Sequence, residues 1–418
     1  MSGGGPRRHV ANVVNLAGGS LGAVLLAAAF LPVIARIFPV EVLGHFHTLL
    51  AAAAIAGAVL TLRLEMAIVL APAEDRPALV AGSLLSSVAL TGAGVVLWLL
   101  WLAVAPAHAH AHALPPGWTP EMAVPFVLVS FATALALVAA QVLLAAGRYG
   151  VISRMRILQV LAGNGLMVVA GWWWPTFGVL AVAQLVAALV PVFVARDLLR
   201  QASSRPRAAM APVLHRYRDF MTLNFPANVI NTASLQLPTV LIAAWYGPVP
   251  AVFFAMANRV LDIPFGTLSG AMSQVFYRES SEHMRGGGTP LGHMRVTLAV
   301  SLVLGLAIAG VFLAASGPIV QLVLGDRWGT VAEVIPLVLA WRVMQFVNQP
   351  VSTIYSVLRR QEIALLLIAL FFVPRLWLLA TGGDFLDAVA RYTVGSAVFY
   401  FCYTLVGYWL ATREQRHA

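Results

Sequence analysis

Along the whole chain, apolar runs of about 20 residues, each close to the length at which a helix crosses a bilayer, alternate with short arginine-bearing segments. That alternation leaves few folds open. In hydrocarbon every backbone N–H and C=O must be satisfied within the structure, so an isolated run of this length becomes a helix. The runs begin near Ala11, Val42, Ala78, Glu121, Val151, Thr176, Phe220, Val249, Gly292, Val331, Glu362 and Phe385. The expected fold is therefore all-α, a polytopic membrane protein of about 12 transmembrane helices. Composition agrees: 60% of the residues are hydrophobic and 10% charged, against about 25% charged in soluble domains.

The arginines orient the helices. Only Arg36 and Arg327 fall at ends or loops on one side, and Arg63, Arg259, Arg342, Arg375 and Arg391 fall inside the runs. The remaining arginines lie in the segments on the side where the chain begins, so the positive-inside rule puts both termini in the cytoplasm. The expected immediate neighbours are membrane lipids. Arg375 and Arg391 lie near outer helix ends, from which their side chains are expected to snorkel.

The net charge of +10 is thus a topological signal, and no nucleic-acid partner is expected. The basic residues are all arginine. That excludes a phosphate-loop lysine, a Schiff-base lysine and a Ser-Lys dyad. Cys402 is the only cysteine, so neither an internal disulfide nor a cysteine metal cluster can form. His108, His110 and His112 alternate in an outer loop, which reads as low-complexity drift rather than a metal site. No cofactor and no resident metal are expected. No loop is long enough for a soluble catalytic domain, so the chain does not read as an enzyme.

A basic cytoplasmic linker over residues 197–217 separates an N-terminal six-helix lobe, 1–196, from a C-terminal one, 218–418. An even number of crossings returns the chain to its starting side, so a repeat must be related by a pseudo-two-fold along the membrane normal. LPVIARIFPVEVLGHF, Leu31 to Phe46, echoes LPTVLIAAWYGPVPAVFF, Leu237 to Phe254.

Polar residues inside apolar runs mark the candidate site, because a charge at that depth costs several kcal/mol unless it faces a cavity or a partner. The eighth run carries Asn258, Arg259 and Asp262, followed by Pro264. Arg259 and Asp262 are three apart and can pair on one helix face. The second run carries Arg63 and Glu65, which a regular helix would point to different faces, leaving Glu65 to find another partner or a proton. Asn224, Asn228 and Asn231 form a stripe on the seventh run, interrupted by Pro226 and Pro238; Arg342 and Gln345 form another on the tenth. Arg63, Arg259 and Arg342 face only Glu65 and Asp262. The resulting net-cationic cavity suits an anion such as a pyrophosphate. Glu65 and Asp262 are the candidates for coupling transport to H+ or Na+.

RLEMAIVLAP, Arg63 to Pro72, resembles the motif closing the second helix of bacterial polysaccharide-biosynthesis flippases. FPANVINTASLQLPTVLIAAWYG and ANRVLDIPFGTLSGAMSQVFYRES resemble their seventh and eighth helices. These are the Wzx-type flippases of the multidrug/oligosaccharidyl-lipid/polysaccharide transporter superfamily, which serve O-antigen and exopolysaccharide synthesis. The resemblance implies translocation of an undecaprenyl-pyrophosphate-linked oligosaccharide from the cytoplasmic to the periplasmic leaflet of a bacterial cytoplasmic (inner) membrane by alternating access. It makes Arg259 and Arg63 candidate contacts for the anionic head, and a polysaccharide polymerase a candidate partner. Lipid II flippases are the alternative, although they typically have more spans, and the first-helix arginine here, Arg36, sits at the outer end. A cation/drug antiporter of the same superfamily would want an acidic cavity. An integral-membrane polymerase or ligase would want an acid, base or metal site on a sizeable loop.

Overall fold

The computed structural model describes residues 6–104, 118–203, 210–285, 289–358 and 360–417. His108, His110 and His112, and the linker arginines Arg205 and Arg207, lie outside these residues. The described backbone is almost wholly helical. In chain order come α1 (Pro6–Ile37), α2 (Val40–Leu60), α3 (Leu64–Leu70) and α4 (Arg76–Val104). A 3-10 turn, Pro120–Met122, leads into α5 (Ala123–Ala145), then α6 (Tyr149–Gly171), α7 (Phe177–Ser203) and the short α8 (Met210–Arg216). A π-helical turn, Phe220–Asn224, opens α9 (Phe225–Tyr246), followed by α10 (Pro248–Arg285) and α11 (Leu291–Val323). A second 3-10 turn, Asp326–Trp328, precedes α12 (Gly329–Val351), α13 (Ile354–Val357), α14 (Gln361–Ala380) and α15 (Phe385–His417).

Ten described spans are long and apolar enough to cross a membrane. α6, whose first two turns carry Arg154 and Arg156, is not among them, and the described side chains of α1 form a shorter apolar stretch, Leu21–Ile37. The chain is a multi-pass membrane protein. Large aliphatic residues stand exposed along its outer faces, among them Leu97 and Leu100 of α4 and Val303 and Leu306 of α11, as lipid-facing positions require.

The chain forms two compact units, Met1–Val252 and Phe253–Ala418. In the first, α1 packs along α6, α5 lies against both α2 and α7, and α9 runs along α2. This last contact places α9 in the first unit. The two segments that echo each other in sequence occupy equivalent helix–turn–helix corners, α1 into α2 and α9 into α10. The corners also touch: a Cβ built on Gly44 would overlap the Pro248 carbonyl. Only glycine permits that approach. Gly44→Ala is expected to cost about 1–3 kcal/mol of stability, because the obstructing atoms are backbone rather than a flexible side chain. A melting temperature equal to the parent's would show that the corners part freely.

At the other end of the same unit, arginines close the helix ends. Arg76 donates from Nε to the Ala71 carbonyl (3.0 Å) and from Nη1 to the Ala145 carbonyl (3.1 Å), satisfying carbonyls at the ends of α3 and α5. Asp75, buried beside it, accepts from Arg216 Nη1 (2.9 Å) and from the Tyr217 hydroxyl (3.3 Å). Burial, and then the Asp75 charge, push the Tyr217 phenol above its ordinary pKa. Leu214 fills the notch at Gly82, with its Cδ2 2.8 Å from where a Cβ would stand. Val213 joins the core made by Leu64, Ile68, Leu79 and Val142. The end of the linker is thus fastened to α3 and α4 by a salt bridge and an apolar plug.

In the second unit α11 packs on α12, α12 on α15 and α14 on α15. Phe276, Met294, Tyr355, Phe399 and Tyr403 make its core. The Tyr355 hydroxyl donates to the Tyr403 carbonyl at 2.6 Å, so this phenol enters an apolar cluster without an unsatisfied group.

Candidate functional site

The second run is not one helix. α2 ends at Leu60, and Leu62 and Arg63 adopt left-handed backbone, φ 51° and 63°. For residues with a Cβ this conformation costs about 1–2 kcal/mol each, so surrounding contacts must impose it. Two such contacts are present. The Leu60 carbonyl, released from its helical partner, accepts from the hydroxyls of Ser86 (3.1 Å) and Ser87 (3.3 Å) on α4. The turn also swings Arg63 toward Glu65, so that Nη1 lies 3.4 Å from Oε1. The expectation that these two residues face apart assumed an unbroken helix, and the left-handed pair overturns it. Glu65 is 2% exposed at its side chain, and its second oxygen, Oε2, has no partner.

On α9 the amide stripe persists. Asn224 closes the π-turn and is exposed, Asn228 is half-buried and Asn231 is exposed. The π-turn precedes Pro226, which has no N–H to donate to a preceding carbonyl.

In the second unit the charges pair differently from the sequence expectation. Asp262 Oδ1 is held by Arg342 Nη2, an ion pair across α10 and α12, not by Arg259 one turn away. Arg342 is buried, its side chain 7% exposed, whereas Asp262 is 60% exposed. Arg342 also donates from Nη1 to Gln345 Oε1 (2.8 Å), and Gln345 Nε2 donates to the Tyr400 hydroxyl (3.1 Å). Tyr400 stacks on Trp341, and the Arg342 guanidinium lies 5.1 Å from that indole. Arg342 and Gln345 are therefore committed to an internal relay from Asp262 to Tyr400.

Arg259 stands apart. It projects from the middle of α10, about 16 Å along the helix from Pro248, and its side chain is exposed. Among the described residues it makes no ion pair and donates no hydrogen bond. Asp262 and Gly266 continue the exposed face, with Gly270 and Ser273 half-buried beside it. The excess of cations counted in the sequence thus resolves into one residue: Arg63 has Glu65, Arg342 has Asp262, and Arg259 is left.

Arg375 corrects another expectation. It does not snorkel; it is 4% exposed, with its guanidinium 4.4 Å from the centre of the Phe399 ring. A cation can sit there because the ring face is electron-rich and the surroundings exclude water. Arg391 remains exposed and pairs with Asp387 at 3.0 Å. Sequence reasoning missed the serine pair at Leu60, the Asp75 latch and the Asn348–Thr404 hydrogen bond (2.9 Å). None of these carries a local signal; each joins residues distant along the chain. No group of three or more metal-ligating side chains occurs among the described residues.

The family model for polysaccharide biosynthesis proteins matches residues 88–333. No curated protein matches the chain in sequence. Among solved structures the fold is similar to that of the lipid II flippase MurJ in an inward closed conformation. That match has a TM-score of 0.72 at 9% identity, covering 96% of this chain and 90% of that one. A multidrug resistance MATE family transporter of the MOP superfamily, in its inward-facing conformation, matches at TM-score 0.62 and 14% identity, over 95% of this chain and 96% of that one. A MOP superfamily transporter from Pyrococcus furiosus, described by the reversed polarity of its binding pocket, matches at 0.58 and 13%, over 97% and 95%. At these identities the likeness is one of fold, and it extends over nearly the whole chain.

Proposed function

We propose that this chain, which belongs to the polysaccharide biosynthesis protein family, translocates an undecaprenyl-pyrophosphate-linked oligosaccharide from the cytoplasmic to the periplasmic leaflet of a bacterial inner membrane. The lobes 1–196 and 218–418 alternate access to the two sides, and both termini lie in the cytoplasm. The observation that carries the reading is Arg259: an exposed guanidinium at membrane depth that makes no direct ion pair among the described residues and feels Asp262 only from one turn away, on a face otherwise made of small and polar residues. A charge left bare at that depth calls for an anionic ligand, and a planar fork of donors matches a phosphate oxygen pair. In the first unit, taken by itself, Arg63 is a partly exposed cation paired with Glu65, and Asn224, Asn228 and Asn231 carry amides that can bind sugar hydroxyls. Arg342 and Gln345 serve the site from behind, holding Asp262 in place.

With no lysine and no nucleotide motif, an H+ or Na+ gradient, or consumption of the product by a polysaccharide polymerase, drives net flux. The antiporter reading is weakened because the exposed acid, Asp262, is already matched by Arg342. The lipid II reading is the second to keep, supported by the fold match to a lipid II flippase. Deletion of the gene separates the two. The expected result is loss of surface glycan with lipid-linked repeat units accumulating in the inner leaflet while lipid II stays at its parental level. Accumulation of lipid II instead would transfer the assignment to cell-wall synthesis.

A further inference from the structure

We infer that the arginine-bearing ends of α6 and α7 seat an acidic phospholipid, with Arg154 and Arg196 sharing its phosphate and Leu158 and Phe193 lying along its acyl chain. The leaflet is the cytoplasmic one, an assignment that rests on the orientation proposed above. The two helices are packed antiparallel neighbours, joined by the short turn after Gly171. They meet closely at Gly163, where a built Cβ would stand 2.8 Å from the Ala187 Cβ. Arg154 lies nine residues before Gly163 and Arg196 nine after Ala187. Both therefore stand about 14 Å from that contact, at one level. Each adjoins the packed interface, because Met155 and Ala195, their chain neighbours, are buried in one cluster. Both arginines are exposed. Helix axes about 8–10 Å apart let two such long side chains meet over one phosphate.

Depth and surroundings select the ligand. Phe177 starts a span long and apolar enough to cross a membrane, and Arg196 is 19 residues beyond it. That is about 28 Å, close to the hydrocarbon thickness of about 30 Å, so the guanidinium reaches headgroup level. One turn deeper Leu158 and Phe193 are exposed, and the Arg196 guanidinium lies 4.6 Å from the centre of the Phe193 ring. Cations above an apolar strip match an amphiphile rather than a soluble anion. The charge is also available. α6 and α7 carry Arg154, Arg156, Arg196 and Arg200 against one acid, Asp197. Asp197 comes only within 3.7 Å of Arg196, with both side chains more than half exposed, a contact worth little. At the same end of the unit Arg76 and Arg216 are spent on carbonyls and on Asp75. A topological signal alone would not require the different placement of Arg154 and Arg196.

Native mass spectrometry of the purified full-length protein in detergent tests the seat, with phosphatidylglycerol as the probe and phosphatidylcholine as the neutral control. The parent should bind its first phosphatidylglycerol more tightly than its first phosphatidylcholine. Arg154→Gln combined with Arg196→Gln should weaken that first phosphatidylglycerol about 30-fold, and each single change about fivefold. Arg154→Lys with Arg196→Lys should keep most of the affinity, since the charge remains. Melting without added lipid reports whether each variant is folded; should the double glutamine variant fail to fold, the single changes carry the result. Equal binding of the two lipids by the parent overturns the proposal. Phosphatidylglycerol binding unchanged in the glutamine variants overturns the assignment to this pair. Displacement of bound phosphatidylglycerol by equimolar undecaprenyl phosphate would give the seat to a polyprenyl carrier and overturn the phospholipid. Because the readout is phospholipid and not glycan, failure here leaves the flippase reading standing, and failure of that reading leaves this binding result intact.

Discussion

Arg259→Ala should abolish glycan export, by about 100-fold or more, at unchanged abundance of folded protein in the membrane. The asymmetry between activity and stability follows from the pairing. Removing an exposed cation that makes no direct ion pair strands no other charge, because Asp262 keeps its pair with Arg342, so the fold loses little. The ligand, in contrast, loses a pair of charge-assisted hydrogen bonds in a water-poor setting, where such bonds are strongest. Arg259→Lys should retain partial export, since an ammonium keeps the charge but cannot make the bidentate contact. Export is measured as surface glycan per unit of membrane protein in a deletion strain carrying each variant. Near-parental export by Arg259→Ala would remove the residue from the site and with it the main support for an anionic substrate.

The second large effect is on stability, and it has a direction. Asp262→Ala leaves Arg342 buried without its counter-ion and should cost about 3–5 kcal/mol. Arg342→Met should cost much less, because the carboxylate it abandons is 60% exposed and can be hydrated, and methionine fills part of the vacated space. The double change Asp262→Ala with Arg342→Met should then recover most of the loss, since no charge remains buried. Melting of the purified proteins in one detergent reads all three. Equal losses for the two single changes would mean that the pair is solvated at both ends, contrary to the burial of Arg342.

The helical architecture was legible because it is written locally. The onset of α15 at Phe385 coincides with its expected start, and those of α2, α4 and α10 fall within about two residues, since a run of apolar side chains bounded by glycine, proline or arginine admits little else. Arg259 was legible for the same reason: a charge in an apolar run advertises itself. What was not legible is who pairs with whom. A sequence offers Asp262 its neighbour Arg259, three residues away, whereas the fold supplies Arg342 from another helix. The break at Leu62–Arg63 was hidden because Thr-Leu-Arg-Leu contains neither glycine nor proline. Its cause lies in serines more than twenty positions onward, and the pairing of Arg63 with Glu65 depends on it. Arg375 was misjudged because the ring that receives it, Phe399, belongs to the following helix.

The segmented end of the first unit has a consequence for how that unit comes apart. α3 and α8 are seven residues each and the π-turn is five. None could persist as a helix by itself, since nucleation is costly and so few residues cannot repay it. They hold shape only through one another: the Asp75 salt bridge, Leu214 at Gly82, and the core around Leu64. Such an assembly opens piecewise, each fragment released at a small fraction of the global unfolding free energy. The opposite end, where α2 and α9 run unbroken into the Gly44–Pro248 seam, can open only by moving whole helices. The unit therefore has a stepwise end and an all-or-none end, a gradient of local stability built into its connectivity.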